Sequence, residues 1–272
     1  MSTTTLKLIA LALMFLDHIY EFFPGAPIVL TWLGRISAPI FFFCTVWGFH
    51  YTHNRGVYLL RMYLCSVLMG ALDLVLNLSV AQPVVPVINN IFTTLFLSCL
   101  FIYLWEMKEK PWQKVLMVLA YLALNVAMVF LITGVASPLL YRVLPQQTYQ
   151  YCITMVGGLL PNILTCEGGY FTVMLGLVLY FCKESRKKLA IGYGVYCVGY
   201  VLLLVFLGAS TGMGVTDWPH FMMQEAYQWM QIFALPLMLC YNGQKGRGYK
   251  YLFYIFYPAH VAVLFYLGNL LA

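Results

Sequence analysis

Long apolar runs dominate the chain, most of them about 18 to 22 residues and closed by a short polar, Pro- or Gly-containing stretch. A helix rises about 1.5 Å per residue, so about 20 apolar residues match a hydrocarbon core of about 30 Å. The runs predict nine spans: Leu6–Phe23, Leu30–Tyr51, Val57–Leu78, Val87–Met107, Val115–Ala136, Gly169–Cys182, Leu189–Ala209, Phe221–Tyr241 and Tyr251–Leu271. The period-of-two alternation of a barrel strand is absent from the sequence, and a span in lipid must satisfy its own backbone hydrogen bonds, so the predicted class is all-α. Residues 137–168, with Pro138, Pro145, Pro161 and the Gly157-Gly158 pair, are semi-apolar and read as an outside, partly re-entrant segment with room for two half-crossings. The expectation is a polytopic transmembrane helical bundle of nine to ten spans, forming one domain over residues 1–272.

Composition strengthens this picture. Hydrophobic residues make up 62% of the chain and charged ones 9%, against roughly a quarter charged in a soluble protein, so the solvent expected around it is a lipid bilayer. The first run resembles a secretory leader, with Lys7 ahead of apolar residues, but Asp17-His18 interrupts it and no small-residue cleavage site follows, so a retained span is expected. The net charge of +6 sits in short loops, which argues for membrane orientation and against a nucleic-acid partner. With the N-terminus cytoplasmic, all fifteen Lys and Arg except Arg35 and Arg142 fall on or near the inner side, as expected of a multi-pass protein of the cell membrane. The eight Cys lie mostly within apolar runs and form no CxxC, so neither a metal site nor a disulfide framework is expected; Cys152 with Cys166 is the one candidate pair.

An ionisable side chain at mid-membrane costs at least about 2.5 to 3.5 kcal/mol on insertion scales, which singles out a few residues. Lys7 and His18 are eleven residues apart on one helical stripe, about 16 Å along the axis. Asp17 lies about 100° round the helix and stacks with Glu21 one turn on, facing a neighbouring helix or the outer rim. Lys7 reads either as an interface anchor or as the inner end of a functional line, and His18 either as a packing histidine or as a general base. Arg35 in the second span reaches the depth of Asp17 and Glu21, where it neutralises charge or positions a substrate. His50, His53, Asn54 and Arg55 form a polar turn at the inner end of that span, suited to an anionic phosphate or simply solvated. In the last span, Tyr257-Pro258-Ala259-His260 places a second histidine ten residues beyond Lys250, near the depth of His18, with a kink expected at Pro258. Gln224, Gln228 and Gln231 form an i, i+4, i+7 stripe with Glu225 alongside, lining a cavity or a helix contact. Asp73 and Asn77 form an outer-half pair, and Asn89, Asn90, Asn162 and Glu167 sit at the outside mouth, where they are loop polarity or acceptor contacts. Phosphate-loop, HExxH and GxSxG patterns are absent from the sequence.

The stretches LMFLDHIYEFFPG, LTWLGRISAPIFFFCTVWGFHYTHNR, LLPNILTCEGG, FALPLMLCYNGQKGRG and YIFYPAH together resemble the TraX family, whose named member acetylates the N-terminus of pilin. That family is similar to a wider transmembrane acyltransferase group that includes acyltransferase family 3 and the heparan N-acetyltransferases. In family 3 a basic residue, ten intervening residues and a histidine mark the first helix, a spacing that Lys7 to His18 matches. The resemblance implies transfer of an acetyl group from cytoplasmic acetyl-CoA to a hydroxyl or amine acceptor on the outer side: a pilin-like peptide, a glycan or a small molecule. It implies donor contacts at Lys7, His50, His53 and Arg55, and chemistry at His18 aided by Asp17, Arg35, His260 and Tyr257. Acceptor contacts would fall at Gln224, Glu225, Gln228, Glu167 and Asn90. The competing readings are a proton- or ion-coupled transporter, in which the buried charges form an ion path, and a non-catalytic scaffold.

Overall fold

The computed structural model describes residues 1–88, 90–210 and 217–271; the Lys250 side chain and Asn89, one of the expected mouth residues, lie outside the described set. Every regular element among the described residues is helical. Among the described residues, five helical stretches are long and apolar enough to cross a membrane: Val29–His50, Arg55–Ser79, Pro111–Val143, Arg186–Ser210 and Tyr251–Leu271. Two further apolar helices, Ile91–Glu106 and Gly169–Phe181, are shorter, and the first helix, Thr3–Phe22, carries Lys7, Asp17 and Glu21. The residues fall into two compact units, Met1–Trp47 with Val178–Ala272, and Gly48–Leu177.

In the first unit, α1 (Thr3–Phe22) begins at Ser2, whose hydroxyl accepts from the Thr5 amide at 3.2 Å. Its buried positions are Leu6, Ala10, Met14, His18 and Phe22, one every fourth residue, so the imidazole stands in the register of the apolar seam. Part of that seam meets α13 (Lys250–Leu271). Lys7 Nζ lies 5.3 Å from the Phe253 ring centre, His18 meets His260, and Phe22 meets Phe265, so α1 and α13 run parallel. At the far end Gly268 lets the backbones close, since a Cβ there would stand 2.3 Å from the Phe22 carbonyl oxygen. Gly268→Ala is therefore expected to cost about 1–3 kcal/mol as an overpacked contact, read as a lower apparent Tm in detergent.

The chain then turns back. α2 (Val29–Gly34) and α3 (Ser37–His50) descend antiparallel to α1, with the Ser37 hydroxyl donating to the Ala10 carbonyl at 2.7 Å. α10 (Arg186–Ser210) forms a hairpin with the stretch that follows it, the Tyr193 hydroxyl donating to the Gln231 carbonyl at 2.6 Å. That stretch corrects the expected eighth span. In place of one α-helix over Phe221–Tyr241 there is α11 (Trp218–His220), a π turn (Phe221–Glu225), a break at Ala226, a 3-10 helix (Tyr227–Phe233) and α12 (Ala234–Leu239). Two indoles close the break: Trp229 Nε1 donates to the Met222 carbonyl and Trp32 Nε1 to the Met223 carbonyl, each at 2.9 Å. Because the helical period changes at Ala226, Gln224 and Gln228 do not share an α-helical face.

In the second unit, α4 (Arg55–Ser79) is capped by Asn54, whose side chain accepts from the Val57 amide at 3.1 Å. The non-helical stretch after α4 is held to it where Asn77 bonds both the amide and the carbonyl of Val87, at 2.8 and 2.7 Å, and where Asn90 reaches the Ser66 carbonyl at 2.9 Å. Only there does α5 (Ile91–Glu106) begin, antiparallel to α4. α6 (Pro111–Phe130), a π segment (Leu131–Ala136) and α7 (Ser137–Val143) run on as one rod, so the helix extends seven residues into the segment expected as an insertion. α8 (Gln146–Leu159) then turns back along α4 and stops beside its middle, where Gly158 packs on Ser66 and Gly70. The loop 160–168 is pinned by Asn125, which accepts from the Ile163 amide at 2.7 Å, and α9 (Gly169–Phe181) starts beside α5, with Thr94 bonded to the Glu167 carbonyl and Ser98 to the Val173 carbonyl. Cys152 and Cys166, the candidate disulfide, are both free thiols.

Candidate active site

Two polar clusters stand side by side in α1, on different faces. On the α13 seam, His18 Nδ1 and His260 Nε2 are 2.6 Å apart, with the two residues only 6% and 5% exposed. The rings are nearly parallel, at 13° and 4.8 Å between centres. His260 Nδ1 lies 2.7 Å from the Phe256 carbonyl oxygen, and a carbonyl can only accept. In the neutral pair this fixes both tautomers: His260 donates from Nδ1 and accepts at Nε2, so His18 donates from Nδ1 and holds its lone pair on Nε2. Pro258 lies between these partners. Lacking an amide hydrogen, it loosens the helical ladder in the turn where the Phe256 carbonyl takes the imidazole. Tyr257 stands over the pair, its ring 6.1 Å from His18 and 5.7 Å from His260. Glu21 Oε2 is 3.9 Å from His18 Nε2.

Toward α2, Asp17 forms an ion pair with Arg35 Nη2 and accepts from the Thr31 hydroxyl at 2.6 Å. Arg35 also donates from Nε to the Thr31 carbonyl at 3.3 Å and from Nη1 to Gln228 Oε1 at 3.1 Å, with the Tyr227 ring 5.6 Å away. Gly34 makes room for this pair, since a Cβ there would come within 2.4 Å of Asp17. The expected neutralisation of Arg35 by Asp17 is thus the geometry found. The short Asp17 side chain is held by Thr31 and Arg35, while the longer Glu21, one turn on, reaches back to His18.

Other expected contacts are engaged elsewhere. Arg55 forms an ion pair with Glu106 and lies 5.4 Å from the Phe49 ring, so it is committed within the second unit; His50 is partly buried and His53 exposed there. Glu225 stands 3.8 Å from His220 Nδ1, both exposed, and Gln224 is exposed beside it. Asn90 and Glu167 belong to the second unit, Asn90 holding Ser66 and the Glu167 carbonyl holding Thr94. Asp73 is buried, one turn from Asn77. In the first unit, Lys7 has cationic company that sequence reading passed over. The Thr4 amide and hydroxyl donate to the Lys245 carbonyl, at 3.1 and 2.9 Å, and the hydroxyl also to the Arg247 carbonyl at 2.6 Å, so the basic loop 242–248 wraps the start of α1. Arg186 donates to the Tyr241 carbonyl at 3.2 Å in the same loop region. Thr31 and Glu21 were also missed as partners, although Glu21 sits at the i+3 spacing that brings helix side chains together. Among the described residues no group of three His, Cys, Asp or Glu is arranged to hold a metal ion.

The chain is similar to a probable fimbrial assembly protein FimC, serogroup H1, of Dichelobacter nodosus, 27% identical over 271 residues that cover 97% of this chain and 94% of the relative. No solved structure matches it. The family model for the TraX protein matches residues 2–154 and 143–268, and the chain belongs to the TraX family.

Proposed function

We propose that this protein is a transmembrane acyltransferase that takes an acetyl group from acetyl-CoA at the cytoplasmic end of α1 and gives it to a hydroxyl or amine acceptor at the opposite end. The observation that carries the reading is the His18–His260 pair, buried on the α1–α13 seam, with the Lys7 cation at the other end of that seam. Membership of the TraX family supports an acetyl donor, and the fimbrial-assembly description of the relative supports a pilus-subunit acceptor. The parallel course of α1 and α13 supports an odd number of crossings, as nine would give, and the half-length path of α8 along α4 supports the re-entrant reading.

Acetyl-CoA is a polyanion with a long thioester arm. Its phosphates suit Lys7, Lys245, Arg247 and Arg186 at the wrapped start of α1, in place of Arg55, whose guanidinium already faces Glu106. About 16 Å of helix rise separates Lys7 from His18, so an extended arm along the seam brings the thioester to the imidazole without the nucleotide entering the membrane. His18 Nε2 then takes the acceptor proton as the acceptor attacks the acetyl carbon, and the carbon–sulfur electron pair leaves on the thiolate.

The test is thermal. Acetyl-CoA at 100 times its Kd is expected to add about 2.7 kcal/mol to the stability of the purified protein, with a corresponding rise in Tm. Lys7→Ala is expected to weaken that rise and Arg55→Ala to leave it intact. No rise at millimolar acetyl-CoA would reject the donor and favour a transporter or scaffold.

A further inference from the structure

The geometry points to Glu21 as a positioning residue that acts through His18: it draws the acceptor's proton off Nε2 and releases it at the C-terminal end of α1. This rests on the acyltransferase reading.

In the neutral pair the one basic nitrogen is His18 Nε2, because His18 Nδ1 and His260 Nδ1 both carry hydrogens already committed to His260 Nε2 and to the Phe256 carbonyl. A proton arriving on Nε2 cannot continue through His260, since its chain ends on an amide carbonyl oxygen, which is far too weak a base to keep it. The α13 side is therefore closed to onward transfer. On the α1 side, Glu21 Oε2 stands 3.9 Å from that same nitrogen, and a rotamer change that shortens the gap to about 2.8 Å makes a charge-assisted hydrogen bond. Glu21 is the less buried partner: its side chain is 30% exposed and that of His18 8%. Of the neighbours named above, Tyr257 is a phenol and not a base, Arg35 is a cation, and Asp17 is occupied by Arg35 and Thr31.

The step balances. As the acceptor attacks the acetyl carbon, its proton passes to His18 Nε2 and the carbon–sulfur bond breaks with the electron pair on sulfur. The thiolate takes a proton from water on the donor side. His18 hands its proton to Glu21, which releases it to water at the other end, so acyl-acceptor and thiol form with one proton taken up on one side and one released on the other.

Turnover of labelled acetyl-CoA by envelope membranes containing the protein tests this. Glu21→Gln is expected to lower turnover at least tenfold with the KM for acetyl-CoA unchanged, and Glu21→Asp to retain most of it. Glu21→Ala is expected to be restored in a dose-dependent way by added formate, a carboxylate that replaces a proton carrier and not a packing contact. Parent-like turnover in Glu21→Gln, or no effect of formate on Glu21→Ala, would overturn the assignment. Should the parent turn over no acetyl-CoA, the proposed function fails by itself, and deuterium exchange at the histidine C2 positions still reads the pair. There the His18 exchange midpoint in Glu21→Gln is expected to move to lower pH, and an unmoved midpoint would overturn the coupling.

Discussion

His18→Ala is expected to abolish acetyl transfer to background, a fall on the order of 10²–10⁴, while leaving acetyl-CoA binding intact. The size follows from the tautomers: with the Phe256 carbonyl holding His260, Nε2 of His18 is the lone-pair nitrogen not taken up between the two rings, and the lone pair that His18→Ala uncovers on His260 Nε2 sits on the other helix, away from that position. His260→Ala is expected to cost less, about 10–100-fold. It leaves a base in place but removes the acceptor that orients His18 Nδ1 and steadies the imidazolium. The double variant should be no worse than His18→Ala, because residues acting as one unit do not contribute additively. Turnover of labelled acetyl-CoA by membranes of matched protein content checks all three. Additive losses would show that the histidines act separately.

Arg35→Ala is expected to produce the largest loss of stability, about 3–5 kcal/mol, because it strands the Asp17 carboxylate inside the bundle. Three nitrogens of Arg35 hold three partners, Asp17, the Thr31 carbonyl and Gln228, and these tie α1, α2 and the 3-10 helix together. The side chains are about a quarter and a fifth exposed in the bundle. The paired change Asp17→Asn with Arg35→Gln removes both charges and is expected to recover much of the loss. Thermal unfolding in detergent reads both, and equal destabilisation of the single and the paired variant would show that packing and not charge holds this corner.

Much of the architecture was legible from pattern alone. α1, α4, α10 and α13 each begin and end within three residues of the expected spans, because a long apolar run in lipid has one way to satisfy its backbone. The meeting of His18 with His260 was legible as a shared depth in the first and last spans, and Asp17 with Arg35 as a buried cation needing an anion. The rest depended on tertiary choices that a linear sequence does not encode locally. The stretch from Phe221 has the hydrophobicity of a span, yet it breaks at Ala226 because Trp32 and Trp229 supply the donors that an interrupted helix needs, one of them from a distant helix. α5 starts four residues inside its apolar run, where Asn77 bonds the Val87 backbone and Asn90 reaches the Ser66 carbonyl of α4. Arg55 looked suited to an anionic ligand until Glu106, fifty-one residues on, proved to face it. The approach of Glu21 to His18 was passed over, although the i+3 spacing brings helix side chains together.

The central claim is that the α1–α13 seam carries an acyl group from one side of the membrane to the other through His18. Sealed vesicles with labelled acetyl-CoA confined to the face bearing the α1 N-terminus, and envelope acceptors confined to the opposite face, test it directly. The account predicts label on the far-side acceptors with the parent protein and none with His18→Ala. Label transferred equally by both proteins, or recovered solely on the donor side, would contradict it.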